Sequence, residues 1–377
     1  MNNVQAIVLA AGKSTRFKTG TSKLLHKICG QEMILYGTRL LEALNIPTTA
    51  VVGFQKDVLI HTLNNNLKIP ISIVEQTEQL GTGHAVACTQ RLWNKDLILI
   101  MNGDMPLITS DIIETLYNKH IINDAVMSFV TSHHTEPSGY GRVVQNNSHI
   151  SIVEARDYTG SINEAPYINA GIYLFNRAFL ETYIQEIDQN NSKQEFYLTD
   201  LAKLASDAGQ NVTTTVVPYD FIRGINTFKE LWEVEHIKRS ELIQHWMQNG
   251  VRFMMPLTTH IDLSVTIEPG TIIGAGAYIT GTTSIGAHCS LGAHAVITNS
   301  ILGDYVTTEP HCIIDDSKIQ SHGHIGSHTH ISKYSIVEEH MHVESFQKVT
   351  QRIISKNSSE EKISSQKHRQ SLTSGAS

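Results

Sequence analysis

The chain has 377 residues, 41% hydrophobic and 17% charged, with a formal net charge of −7. That length suits two domains with buried cores, and no apolar run is long enough to span a bilayer. The negative balance, with aromatics that do not interleave with basic clusters, argues against nucleic acid as a partner. Four scattered cysteines, Cys29, Cys88, Cys289 and Cys312, form no C-x-x-C pair, so neither a zinc module nor a disulfide framework is suggested. A strand begins within a few residues of the amino terminus and leaves no room for a signal peptide. The reducing cytoplasm is the expected location, with no membrane partner.

The first element, Val4 to Leu9, is a short branched apolar run that reads as a strand buried on both faces of a parallel sheet. It passes into Ala10-Ala11-Gly12-Lys13-Ser14-Thr15-Arg16, small residues followed by cations. Small side chains let a backbone approach a ligand closely, and successive N–H groups there cradle phosphate oxygens. Arg16 and Lys23 add two positive charges to the same loop. Position 7 is Ile7, where a P-loop would need glycine, so the Gly12-Lys13-Ser14 triplet is not one. Strands are expected over Thr49–Gly53, Ile71–Glu75, Leu97–Met101 and Ala125–Thr131, and helices over Met33–Leu44 and Ser110–Lys119. This alternation predicts an α/β domain with a doubly wound, mostly parallel sheet over residues 1–226. The Leu97 strand ends in Gly103-Asp104, and a carboxylate there sits over the ligand crevice of such a sheet, where it suits Mg²⁺. An aspartate capping the next helix is the plainer reading of the same residue.

Residues 227–250 carry apolar positions with the period of one amphipathic linking helix. Beyond them Ile261, Ile267, Ile273, Ile279, Ile285, Leu291 and Ile297 recur every six residues. This hexapeptide repeat predicts a short left-handed parallel β-helix over 251–354, of four to five coils, with register slips at Leu302 and Ile319. Residues 355–377 are rich in Ser, Lys, Glu and Gln and are expected to form a disordered tail. His322, His324, His328 and His330 alternate, with His340 and His342 one coil later. Alternation is expected to place them on one face, where imidazoles bind Zn²⁺ or Ni²⁺ or are simply outward polar residues.

The stretch Leu9–Phe17, LAAGKSTRF, followed by SKLLH, resembles the L-A-A-G-x-G-T-R-(M/F)…P-K-x-L signature of sugar nucleotidyltransferases. More narrowly it is similar to the uridyltransferase half of the bacterial GlmU family. The likeness continues through Glu78–Ala85 (E-Q-L-G-T-G-H-A), Gly103–Leu107, Gly139–Arg142, Ile152–Glu154, Tyr167–Gly171, Gln194–Asp200 and Gly224–Asn226. Three positions depart: Ser14 for glycine, Ser22 for proline, and Asn102 where many relatives have tyrosine. The resemblance implies a Rossmann-like nucleotidyltransferase domain that transfers UMP from UTP to N-acetylglucosamine-1-phosphate, for cell-envelope precursors. Leu9, Ala10, Ala11, Gly12 and Lys23 would line the nucleotide side, and Gln76, Gly81 and Thr82 would meet uracil. Gly141, Glu154, Asn169 and Asn226 would meet the sugar phosphate. Mg²⁺ would sit on Asp104 and Asn226, and Arg16 and Lys23 would stabilise charge in catalysis.

Family β-helices assemble as trimers, so a homotrimer is implied. Bifunctional relatives also transfer an acetyl group from acetyl-CoA, through an R-P-G motif and a following G-N-F-V-E-x-K-K. Here those regions read Ser332-Lys333-Tyr334 and Glu344–Val349. No acetyltransferase activity is therefore expected. Two further readings stay open: the same reaction on another sugar-1-phosphate, and a non-catalytic sugar-nucleotide-binding scaffold.

Overall fold

The computed structural model describes residues 1–13, 15–134, 139–146, 149–161 and 163–355. Ser14 and the expected tail from 356 on lie outside the described residues. The chain divides into two compact units, Met1–Ile28 with Glu32–Val234, and Cys29–Gln31 with the chain from Glu235 onward.

The first unit is built on a nine-stranded sheet. Val4–Ala10 lies between Leu97–Asn102 on one side and Thr48–Val52 on the other, parallel to both, and Ser72–Glu75 continues the parallel run outward. Beyond Leu97–Asn102 the ten-residue strand Tyr167–Asn176 is antiparallel to both its neighbours, the second being Met127–His133. Val212–Val216 closes that edge in parallel with Met127–His133. A hairpin of Arg142–Asn146 and His149–Val153 attaches through Tyr167–Asn176. Helices such as Met33–Ala43 and Ser110–Ile122 cover the sheet. The sheet is mostly parallel, as the alternating pattern predicts, but the long antiparallel strand and the hairpin are additions. Tyr167–Asn176 is buried throughout between its ends, while the hairpin strand His149–Val153 alternates. Ile7, Ile98, Ile100, Phe129 and Phe175, all with no measurable exposure, form the core under the sheet.

The linking helix runs from Phe228 to Gln248. The second unit then stacks three six-stranded parallel sheets, as a left-handed β-helix does. Inward residues form three columns. One runs Ile261, Ile279, Ile297, Ile314, Ile331 and Val349. A second runs Ile267, Ile285, Leu302, Ile319, Val337 and Ile354. The third begins at Phe253 and Ile273 and admits one polar member, Thr308, whose hydroxyl accepts from the Gly292 amide at 3.1 Å. There are six rungs among the described residues and not the expected four to five. Phe253 falls outside the strict six-residue spacing because a short helical turn, Pro256–Thr258, intervenes before Ile261. The two register slips are shortened corners, which pair Ile285 with Leu302 and Leu302 with Ile319 at seventeen residues apiece where eighteen is usual.

The histidines do not share one face. A hexapeptide coil turns a corner every six residues, so neighbours in an alternating run point in different directions. His322 lies in a corner column with His288, Tyr305 and His340, with rings stacked at 4.6–5.1 Å. His328 lies in a second corner column, with His294, His311 and Phe346. His324 stacks on His342 in one sheet, and His330 belongs to another. The corner residues hold left-handed φ of +55° to +62°, which costs about 1–2 kcal/mol per non-glycine residue. Ring stacks of about 0.5–1.5 kcal/mol each offset that cost. Each corner column is headed by a glycine, Gly270 or Gly276, where a Cβ would strike the next ring. His322, Glu339 and His340 do bring ligand atoms within 4.8 Å of one another. The nearly parallel rings, inclined at 15°, aim their nitrogen lone pairs side by side and not at a common point.

Candidate active site

The site is assembled at the carboxyl ends of the central strands. Val4–Ala10 delivers Leu9, Ala10, Ala11 and Gly12, and the Leu9 carbonyl accepts from the Gly103 amide at 3.0 Å. That bond ties the first loop to the turn carrying Asp104, which is 9% exposed. The backbone at Ser22 is held by Gln55, whose side chain accepts from its amide at 2.7 Å and donates to the Gly20 carbonyl at 2.7 Å. Lys23 follows, and its ammonium donates to Asp104 Oδ2 and, at 2.9 Å, to Asn226 Oδ1. Arg16 Nη2 donates to the same Asn226 oxygen at 2.9 Å. Residues up to 210 positions apart in sequence thus converge on one carboxylate and one amide oxygen.

Asn226 is fixed from behind. Its amide donates to Glu230 Oε2 at 2.7 Å, and the Thr227 hydroxyl donates to the same oxygen while accepting from the Glu230 amide. This Thr227-x-x-Glu230 exchange is a variant of the capping box, with the carboxylate taking the amide one residue before Thr227, and it opens the linking helix. Two residues earlier, the Gly224 amide donates to the Tyr140 hydroxyl at 2.7 Å. Burial pushes the Tyr140 phenol up, with the Tyr219 ring adding to it. Tyr219 in turn stacks on His134 at 4.1 Å and lies under the Arg223 guanidinium at 4.9 Å.

Two cavities meet here. The first, about 740 Å³, is lined on its far side by Gly141, Glu154 and Asn169. The second, about 460 Å³, is lined by Ala10, Ala11, Gly12, Lys23, Gln76 and Gly81. Leu9, Arg16, Thr82, Asn102, Asp104 and Asn226 line both. Every residue that the sequence assigns to catalysis, substrate or Mg²⁺ therefore borders one of these two adjoining cavities.

In the first cavity the Gly141 carbonyl accepts from the Asn169 amide at 2.9 Å. The Asn169 side chain donates to the Tyr173 hydroxyl at 2.6 Å and accepts from the Gly171 amide at 3.2 Å. Glu154 accepts from the Thr199 hydroxyl at 3.0 Å. Burial raises the Glu154 carboxyl, and the Thr199 bond opposes that shift. The Leu198 amide donates to the Thr82 hydroxyl at 3.0 Å, so the Tyr197–Asp200 segment fastens the two cavities together along one wall. Gly171 holds φ +76°, and a Cβ there would strike the Asn102 amide.

Sequence reasoning passed over Glu230, although its T-x-x-E spacing is a readable signal. It also passed over the wall of His134, Tyr219 and Arg223 and the Tyr140 bond to Gly224. The His134–Tyr219 and Tyr140–Gly224 contacts join residues some eighty positions apart and carry no local signature.

Residues 6–156 match the family described as the MobA-like NTP transferase domain, and residues 261–370 match the GMPPB C-terminal domain. A solved structure from Bacillus anthracis, described as a glucose-1-phosphate thymidylyltransferase in complex with a sucrose, shares the fold. The likeness has a TM-score of 0.51, covers 63% of this chain and 95% of that one, and comes with 18% identity. Fold and cleft together define a nucleotidyltransferase.

The bifunctional protein GlmU of Clostridioides difficile is 36% identical over 329 residues, which cover 86% of this chain and 71% of that one. GlmU of Levilactobacillus brevis is 34% identical over 327 residues, 85% of this chain and 70% of that one. The chain belongs to the GlmU family, and its chemistry is nucleotidyl transfer to a sugar-1-phosphate. No helix among the described residues is long and apolar enough to cross a membrane.

Proposed function

We propose that the protein transfers UMP from UTP to N-acetylglucosamine-1-phosphate, yielding UDP-N-acetylglucosamine and pyrophosphate for cell-envelope precursors. The observation that carries this reading is the convergence of Arg16 and Lys23 on Asn226 and, for Lys23, on Asp104, at the junction of two cavities. One cavity has the loop of small residues and the other has polar side chains suited to sugar hydroxyls and an acetamido group. The reaction needs no general base: the sugar phosphate oxygen is already anionic and attacks the α-phosphorus in line. Positioning and charge neutralisation remain for the protein to supply.

Asp104 and Asn226 offer a carboxylate and an amide oxygen that already face a shared cation, the Lys23 ammonium. That donor set fits Mg²⁺, which takes oxygen ligands from one or two side chains and from substrate phosphates. When bound, the ion supplies neutralisation of phosphate charge. Lys23 would then turn to the triphosphate, with Arg16 beside it, and the capping box at Thr227 and Glu230 would hold Asn226 in place. Gln76, Gly81 and Thr82 would meet uracil, Leu9 to Gly12 the nucleotide, and Gly141, Glu154 and Asn169 the sugar. Residues 1–226 are read as the catalytic domain and 251–354 as the β-helix, which would assemble as a homotrimer. Ser332-Lys333-Tyr334 and Glu344–Val349 replace the family's acetyl-transfer motifs, so that second activity is proposed to be absent.

Asn102 favours one variant reading, the same reaction on a different sugar. It lines both cavities where many relatives place tyrosine. Pyrophosphate release with Mg²⁺, UTP and a panel of sugar-1-phosphates tests both. Preference for N-acetylglucosamine-1-phosphate is expected, and preference for a sugar lacking the acetamido group would overturn the assignment.

A further inference from the structure

Gln76 lines the second cavity and is 4% exposed. Its amide nitrogen has two hydrogens to donate and no capacity to accept. One goes to the Gly81 carbonyl at 3.0 Å, and the other meets His84 Nδ1 at 3.1 Å. Because the amide nitrogen only donates, His84 Nδ1 accepts, which leaves the ring proton to Nε2. That nitrogen faces Cys88 Sγ, a weak acceptor, at 3.7 Å. The chain of donors and acceptors is therefore consistent from Gln76 through His84 to Cys88.

Both Gln76 N–H groups are consumed inside the protein. What the side chain offers the cavity is its carbonyl oxygen, Oε1, which bonds no other protein group among the described residues. Turning the amide over would set that oxygen against the Gly81 carbonyl whatever the tautomer of His84, and against the bare Nδ1 unless the ring moved its proton there from Nε2. A buried polar group left mispaired costs about 1–3 kcal/mol. The orientation is thus held from two sides, by a backbone carbonyl and by the imidazole.

We propose that His84 sets the base specificity of the nucleotide subsite by holding the Gln76 carbonyl oxygen toward the base. The site then takes a base whose facing ring nitrogen carries a proton, as N3 of uracil does. Cytosine presents a lone pair at N3 and is rejected. This rests on the uridine reading given above. His84 is not among the residues lining the cavity, so it acts as a positioning residue through Gln76.

The test compares kcat/KM for UTP and CTP, with N-acetylglucosamine-1-phosphate, in the wild type and in H84A, H84L and H84N. Removing the acceptor in H84A or H84L is expected to lower the UTP-over-CTP ratio by about tenfold. H84N keeps an acceptor near the Nδ1 position and is expected to hold the ratio within about threefold. A merely structural histidine would lower both nucleotides in proportion and leave the ratio unchanged, which would overturn the inference alone. A wild type with no preference for UTP over CTP would overturn the uridine reading and the inference with it.

Discussion

The two units use charge in opposite ways. In the first, Arg16, Lys23, Asp104 and Asn226 are drawn from three separate loops into one half-buried junction, where cations and oxygens face each other across a cleft. In the second, three columns of aliphatic side chains repeat with almost no variation, and eight rings of the two corner columns stack outside them. The first unit concentrates polar groups that a ligand must complete. The second satisfies itself rung by rung. Chemistry is therefore expected to be lost by changes in the first unit that hardly affect folding, and folding to be lost by changes in the second that leave the cleft's residues untouched.

Four substitutions sharpen that contrast. Asp104→Ala removes the only carboxylate among the described residues that line both cavities and is expected to lower turnover by about 10³-fold, equivalent to about 4 kcal/mol. Steady-state rates against Mg²⁺ concentration check it, and a variant with normal turnover and normal Mg²⁺ dependence would remove Asp104 from the chemistry. Ile314→Ala empties a position with no exposure in the middle of a column and is expected to cost about 3 kcal/mol. Denaturant unfolding monitored on the second unit measures this, and a loss under about 1 kcal/mol would mean the rungs collapse to fill the space.

Lys23→Ala is expected to lower turnover by about 10²-fold while sugar-phosphate binding changes by less than about threefold. Equal losses in both would count against a role in stabilising developing charge. The smallest effect is expected at Asp200, in the segment that fastens the cavity wall. Burial, with the nearby Asp188 and Glu154 charges, raises its carboxyl from 3.8 to about 6. The folded state therefore holds this proton more tightly than the unfolded chain. Stability falls as pH rises from about 4 to about 6 and stays lower above that. Asp200→Asn is expected to gain about 1 kcal/mol at pH 7, discounted for the group's partial exposure, and to lose that gain below pH 4. Melting curves at the two pH values decide it.

The same contrast explains what could be read from the amino acids. The aliphatic columns are periodic, so Ile261 through Ile297 declared the β-helix without any structure. An extra rung was hidden because Phe253 stands off the repeat, behind the Pro256–Thr258 turn. In the first unit, continuous apolar runs such as Leu97–Asn102 were legible as buried strands. Tyr167–Asn176 was not, since its Tyr167-Ile168-Asn169-Ala170-Gly171 start reads equally well as a pocket loop. The cleft itself has no period. Nothing local links Arg16 to Asn226 or Tyr140 to Gly224, and only the resemblance to a known family set the candidate residues side by side. His84 lay inside a recognised motif, yet its relation to Gln76 depends on which amide atom faces which ring nitrogen, and a sequence does not record that.

The central claim is that the first unit transfers UMP to an acetylated sugar phosphate and that the second adds no acetyl transfer. Pyrophosphate release by the full chain, with Mg²⁺ and UTP, tests it with two acceptors: N-acetylglucosamine-1-phosphate alone, and glucosamine-1-phosphate with acetyl-CoA. Rapid release with the first and none with the second is the expected result. Release with glucosamine-1-phosphate only when acetyl-CoA is present would show an acetyltransferase at work, and no release with either would contradict the catalytic reading of the cleft.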